Sequence, residues 1–129
     1  MMSEEAKACY EKYKQNVELT GKIERQLPDN LAWSCVIRFY AALHLINAYL
    51  IDKSTVHFDP TSTEHKERKK VMDQCPELRD APQKYRQLKD ISESVRYDAG
   101  FEYTTEHHKS SKAIFDKIVA IVDSKIRKS

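Results

Sequence analysis

The segment from Leu31 to Ile51 constrains the fold more than any other, because 17 of its 21 residues are apolar and no Gly or Pro interrupts it. A helix apolar nearly all round must be covered by other elements on most of its surface or sit in lipid. Arg38 and His44 stand near its middle, where a charge costs about 2.5–3.5 kcal/mol on membrane-insertion scales. Amphipathic segments flank it on both sides. The expectation is therefore the central helix of a bundle, with no membrane.

The surrounding chain is punctuated for helices. Its 129 residues contain only 2 Gly and 4 Pro, the prolines at 28, 60, 76 and 82, which leaves long stretches free of breakers. From Ser3 to Leu27, Ala6, Cys9, Tyr10, Tyr13, Val17, Ile23 and Leu27 recur at helical spacing and predict an amphipathic first helix. Pro28-Asp29-Asn30 ends it. After a loop over 52–60, Thr61 and Glu64 have capping-box spacing for a third helix to about Asp73, with His65, Arg68 and Met72 inward, helped by Val71. Tyr85, Leu88, Ile91 and Val95 mark a fourth helix to about Asp98, with Gly100 as its stop. Thr104 or Thr105 caps a last helix whose apolar face is Ile114, Phe115, Ile118, Val119, Ile121, Val122 and Ile126. A single domain over 1–129 follows, an all-α, antiparallel up-and-down bundle of four to five helices.

Composition removes several function classes. Two glycines, at 21 and 100, leave no glycine-rich phosphate loop and so no P-loop or dinucleotide fold. Lys+Arg (22) nearly balance Asp+Glu (20), so any basic surface must be local. Cys9, Cys35 and Cys75 are too widely spaced for a disulfide framework or a paired metal motif and read as small core residues. His107-His108 reads as solvated residues at a helix start, since neighbours on a helix diverge by about 100°. No metal and no cofactor are expected. The N-terminal residues lack the basic start and apolar run of a secretory signal, so a cytoplasmic protein is expected.

Chemistry concentrates on the central helix. An unpartnered buried guanidinium is costly, so Arg38 must face a cleft, a carboxylate, a subunit interface or an anion. His44 lies about 9 Å further along the axis and about 120° round it, and Tyr40 shares the histidine's face. Two readings stand for the pair: a phosphate role, or a buried polar pair satisfied by an acidic residue of a neighbouring helix. His65 and Arg68 either extend this polar cluster or lie on a partly exposed face. Arg96 either reaches a phosphate or bonds Asp90, Glu93 or Asp98.

The stretches Trp33-Ser-Cys-Val-Ile-Arg-Phe-Tyr40-Ala-Ala-Leu-His44, His65-Lys-Glu-Arg68, Tyr85-Arg-Gln-Leu88 and Ser94-Val-Arg96-Tyr97, in that order, resemble the HEPN superfamily of helical-bundle proteins over roughly Leu31 to Ile126. The resemblance implies a homodimer. Active members of that family are metal-independent ribonucleases with an arginine, four to six residues, then a histidine, and Arg38-x5-His44 fits the spacing. By this analogy Arg38 stabilises the pentacoordinate phosphate and His44 handles protons while the RNA 2′-hydroxyl attacks. Tyr40, His65, Arg68 and Arg96 become candidate binding residues, and the setting becomes a defence, stress or toxin–antitoxin system. The alternative is a non-enzymatic HEPN-like module binding RNA, a nucleotide or a partner protein, with Arg38 paired inside one protomer.

Overall fold

The computed structural model describes residues 2–52 and 65–127, with side chains described throughout except at 65–67. Five α-helices follow one another: α1 (Glu4–Gln26), α2 (Leu31–Asp52), α3 (His65–Asp73), α4 (Ala81–Tyr97) and α5 (Thr105–Arg127). Short 3₁₀ turns at Pro28–Asn30 and Pro76–Leu78 join α1 to α2 and α3 to α4. No strand occurs among the described residues, so the all-α bundle expected from the sequence is the observed architecture. The Thr61–Glu64 capping box and the side chain of His65 lie outside the described residues.

Local chemistry explains the ends. Ser3 caps α1 by accepting from the Ala6 amide at 3.2 Å, and Glu4 and Glu5 occupy the first turn, where the helix dipole favours them. Thr104 caps α5: its hydroxyl accepts from the His107 amide at 3.2 Å, while the Thr104 amide donates to His107 Nδ1 at 3.0 Å. This reciprocal pair reproduces a capping box with an imidazole in place of the usual glutamate. The fourth helix stops at Tyr97, one residue short of expectation, and Gly100 lies beyond it, its amide held by the Asp98 carboxylate at 3.0 Å.

α2 packs against α1, α4 and α5 and forms the axis of the bundle. Cys35, Phe39, Ala42, Leu45 and Ile46 are fully buried. By length and apolarity α2 is the one described helix able to cross a membrane, and most of that stretch is buried inside the bundle. A single stripe of α2 is less covered. Trp33, Ile37, Tyr40 and His44, at steps of four, three and four, are all partly or largely exposed, and that spacing holds them on one face.

The stripe on α1 departs from expectation. Ala6, Tyr13 and Ile23 are buried, but Val17 is 38 % and Leu27 52 % exposed, while Thr20 is buried. A strict seven-residue spacing drifts by about 20° per heptad on a straight helix. The line of contact therefore runs Ala6, Tyr13, Thr20 and leaves Val17 on the flank. Thr20 stays satisfied by donating its hydroxyl to the Val17 carbonyl at 2.6 Å.

Leu45→Ala is expected to lower unfolding free energy by about 2–5 kcal/mol, whereas Leu27→Ala should change it by less than about 0.5 kcal/mol. Urea titration of both variants checks the assignment, and equal losses would contradict the burial pattern.

Candidate functional site

Arg38 and His44 belong to different neighbourhoods. The Arg38 side chain turns toward α1 and α5 and is 7 % exposed. Its Nη2 donates to the Glu24 carboxylate of α1, and its Nη1 lies 3.4 Å from Ser34 Oγ. Glu24 also accepts from Lys112 Nζ of α5 at 3.2 Å, and His108 Nε2 lies 3.9 Å away. Tyr103 completes the cluster, its hydroxyl 3.1 Å from His108 Nδ1 and 2.9 Å from Ser111 Oγ. Burial pushes the Glu24 carboxyl upward, but the hydrogen bonds and charges of Arg38 and Lys112 outweigh it and hold the group below the ordinary carboxylate value.

One carboxylate thus closes a buried guanidinium within the single chain, as the paired reading of Arg38 requires. The histidine gathered about the same carboxylate is His108, not His44. His108 is also not solvated as the sequence led one to expect, for its side chain is only 14 % exposed. Burial, then the charges of Arg38 and Lys112, lower its imidazole pKa against the opposing pull of Glu24.

His44 sits on the less covered stripe of α2, half-buried. Burial first, then the positive charges of Lys12 and Arg68, push its imidazole below the ordinary histidine value, so it is neutral at physiological pH. One turn further on, Asn47 accepts from Arg68 Nε at 2.9 Å, and Arg68 Nη1 lies 3.5 Å from the Tyr85 hydroxyl. Arg68 is 3 % exposed. It ties α3 to α2 and α4 and places a cation beneath the face that carries His44.

One turn before His44, the Tyr40 hydroxyl accepts from Arg96 Nη1 of α4 at 2.9 Å. The Tyr40–Arg96 and Asn47–Arg68–Tyr85 contacts confirm that α2 and α4 run antiparallel. Arg96 also donates from Nε to the Ser92 carbonyl at 3.3 Å, and its Nη1 lies 3.5 Å from the Tyr97 hydroxyl. The guanidinium carbon stands 5.0 Å from the ring centre of Tyr97, 5.5 Å from Tyr40 and 5.7 Å from Phe39. The expected pairing of Arg96 with Asp90, Glu93 or Asp98 is not what forms. Glu93 pairs with Lys89 at 3.0 Å, and Asp98 holds Gly100. Arg96 is held by phenols and ring faces and keeps its positive charge without a carboxylate partner among the described residues.

The structure therefore brings Tyr40, His44 and Arg96 to one face, with Arg68 behind them, and sets Arg38 apart. Residues not singled out from the sequence are Glu24 and Tyr103 around Arg38, and Asn47 beside Arg68. Asn47 carried a signal, being one of four polar positions between Leu31 and Ile51. Glu24 carried none, since α1 is rich in charge. Among the described residues no three His, Cys, Asp or Glu side chains gather as a metal site would require. No protein-family model, curated protein or solved structure matches the chain.

Glu24→Ala is expected to destabilise the fold by about 3–5 kcal/mol, because it leaves the Arg38 charge buried and unpaired. Since the folded Glu24 pKa lies below its unfolded value, the stability it contributes is complete above the unfolded pKa and disappears as pH falls through the folded one. Denaturation across acidic pH should show a steeper acid loss for wild type than for Glu24→Gln. Identical pH profiles would mean that Glu24 does not hold Arg38.

Proposed function

We propose that this chain is an HEPN-like helical module that binds RNA at the face formed by Arg96, Tyr40 and His44. Arg96 carries the proposal. A cation held in a frame of phenols and rings, with no carboxylate partner among the described residues, keeps its charge and its Nη2 donors for a phosphate. Arg68 adds positive potential from below, and the exposed rings of Tyr40, Tyr97 and Trp33 suit the aromatic contacts by which proteins hold unpaired RNA. The commitment of Arg38 to Glu24 within one protomer favours a binding role over cleavage through Arg38.

A second reading, a metal-independent endoribonuclease of a defence, stress or toxin–antitoxin system acting as a homodimer through Arg38 and His44, draws support from His44. A half-buried, neutral imidazole beside cations is suited to take the proton of an attacking 2′-hydroxyl. That chemistry also needs a guanidinium at the phosphate, and Arg38 would have to leave Glu24 to supply it.

Fluorescence anisotropy with labelled single-stranded RNA, followed by gel analysis of the same samples in excess EDTA, tests both. The expected result is salt-dependent binding, weakened at least roughly tenfold by Arg96→Ala, with the RNA left intact. Cleavage by wild type that is lost in folded His44→Ala and Arg38→Lys would establish the nuclease instead. Absence of any binding would remove the RNA reading.

A further inference from the structure

Tyr97, the last residue of α4, is 77 % exposed, the highest value among the exposed large hydrophobic side chains. An exposed ring at a helix end is ordinarily free to swing, but here the Arg96 guanidinium lies against it at 5.0 Å, which restrains it. The ring also lines an open groove of about 410 Å³, together with Asp90, Glu93, Ser94 and Asp98. That volume falls in the range of small-ligand sites, about 300–1,000 Å³. The positions 90, 93, 94 and 97 share one face of α4, so the groove runs along the last two turns of that helix.

The two sides of Tyr97 differ in charge. Toward α2 stands the guanidinium of Arg96. Along α4 and just past its end stand the carboxylates of Asp90, Glu93 and Asp98, of which, among the described residues, Glu93 alone is offset by a lysine, Lys89. A phosphate is drawn to the first side and repelled from the second. A flat, uncharged group bearing N–H donors suits the second side, since it can stack on the ring and donate to the carboxylates. A nucleotide has both parts.

We propose that the Tyr97 groove is a nucleobase pocket, in which an unpaired base of single-stranded RNA stacks on Tyr97 and donates an exocyclic amine to the flanking carboxylates while its phosphate lies at Arg96. The inference rests on the RNA-binding reading above and specifies the substrate. Adenine, cytosine and guanine carry such amines, and uracil presents carbonyl oxygens in their place. A base inside a duplex has both faces stacked and its pairing edge occupied, so duplex RNA is excluded. Trp33, on the same stripe of α2 as Tyr40 and about 10 Å from it along the axis, extends the aromatic surface for neighbouring bases.

The test uses the full chain and labelled strands of about a dozen nucleotides: oligo-adenylate, oligo-cytidylate, oligo-uridylate, an adenylate–uridylate duplex and an abasic strand of equal length. Oligo-adenylate and oligo-cytidylate should bind roughly tenfold or more tighter than the duplex and the abasic strand, as expected for a stacked base, and roughly tenfold tighter than oligo-uridylate, as expected for an amine read by a carboxylate. Tyr97→Ala should bring all five to a common weak affinity, Tyr97→Phe should retain the preference, and Arg96→Ala should weaken every strand. If the abasic strand or the duplex binds as well as oligo-adenylate, or if Tyr97→Ala keeps the discrimination, the base pocket is wrong while RNA binding stands. If oligo-uridylate binds as tightly as oligo-adenylate, the amine-reading part is wrong. If no strand binds, both readings fall.

Discussion

A guanidinium inside the most apolar helix of the chain has to be neutralised before anything else can pack, and Glu24 does this for Arg38. Desolvating both partners is expensive, and the attraction between them offsets that cost only when the geometry is close and the remaining hydrogen bonds are made. Here the carboxylate accepts from two cations on two helices, Arg38 of α2 and Lys112 of α5. The pair therefore fixes three helices at one level of the bundle, α1, α2 and α5. At the other end of α1 the Ser3 amide donates to Asp52 at the close of α2, at 2.6 Å. Between these two ties the apolar faces set the register.

With Arg38 committed, the polar chemistry of α2 divides by direction. One side serves the bundle: Arg38 meets both Glu24 and Ser34, while the hydroxyl of Tyr103 and the ring of His108 fill the space toward α5. The other side keeps Tyr40, His44 and Asn47 within one narrow stripe, met by Arg96 at one end and Arg68 at the other. Arg68 is buried and serves mainly to position. Arg96 is stacked on rings and closed by no carboxylate among the described residues, so it is the cation on this face best placed to meet a ligand. Two arginines of one net charge each thus differ in role through their neighbours alone.

Much of this architecture was legible beforehand. Apolar periodicity and the scarcity of Gly and Pro gave the number and order of the described helices and, the start of α3 aside, their approximate ends, and the buried set of α5 matched its predicted face in Phe115, Ile118, Val122 and Ile126. Where reading failed, the reason was geometric. Val17 and Leu27 are apolar and correctly spaced, yet the contact line drifts away from one and the helix ends at the other. His107 and His108 look alike in sequence, but one caps the helix and the other packs beneath Tyr103. The candidate binding residues Tyr40, Arg68 and Arg96 were identifiable as polar or basic positions within helical stripes. Their grouping, and the separation of Arg38 from it, were not.

The sequence by itself determined that this chain forms an all-α bundle around Leu31–Asp52, because helix propensity, breaker placement and apolar periodicity act over short range and point the same way. It also determined that Arg38 had to find a partner, since a buried charge tolerates no other outcome. Which carboxylate answered was decided only when α1 folded back along α2, bringing residue 24 to residue 38. The same holds for Arg96, whose nearest acids in sequence lie along its own helix but whose side chain reaches across to Tyr40. Pairing energies depend on distance in space, and that distance is set by how the helices cross, which no local pattern encodes.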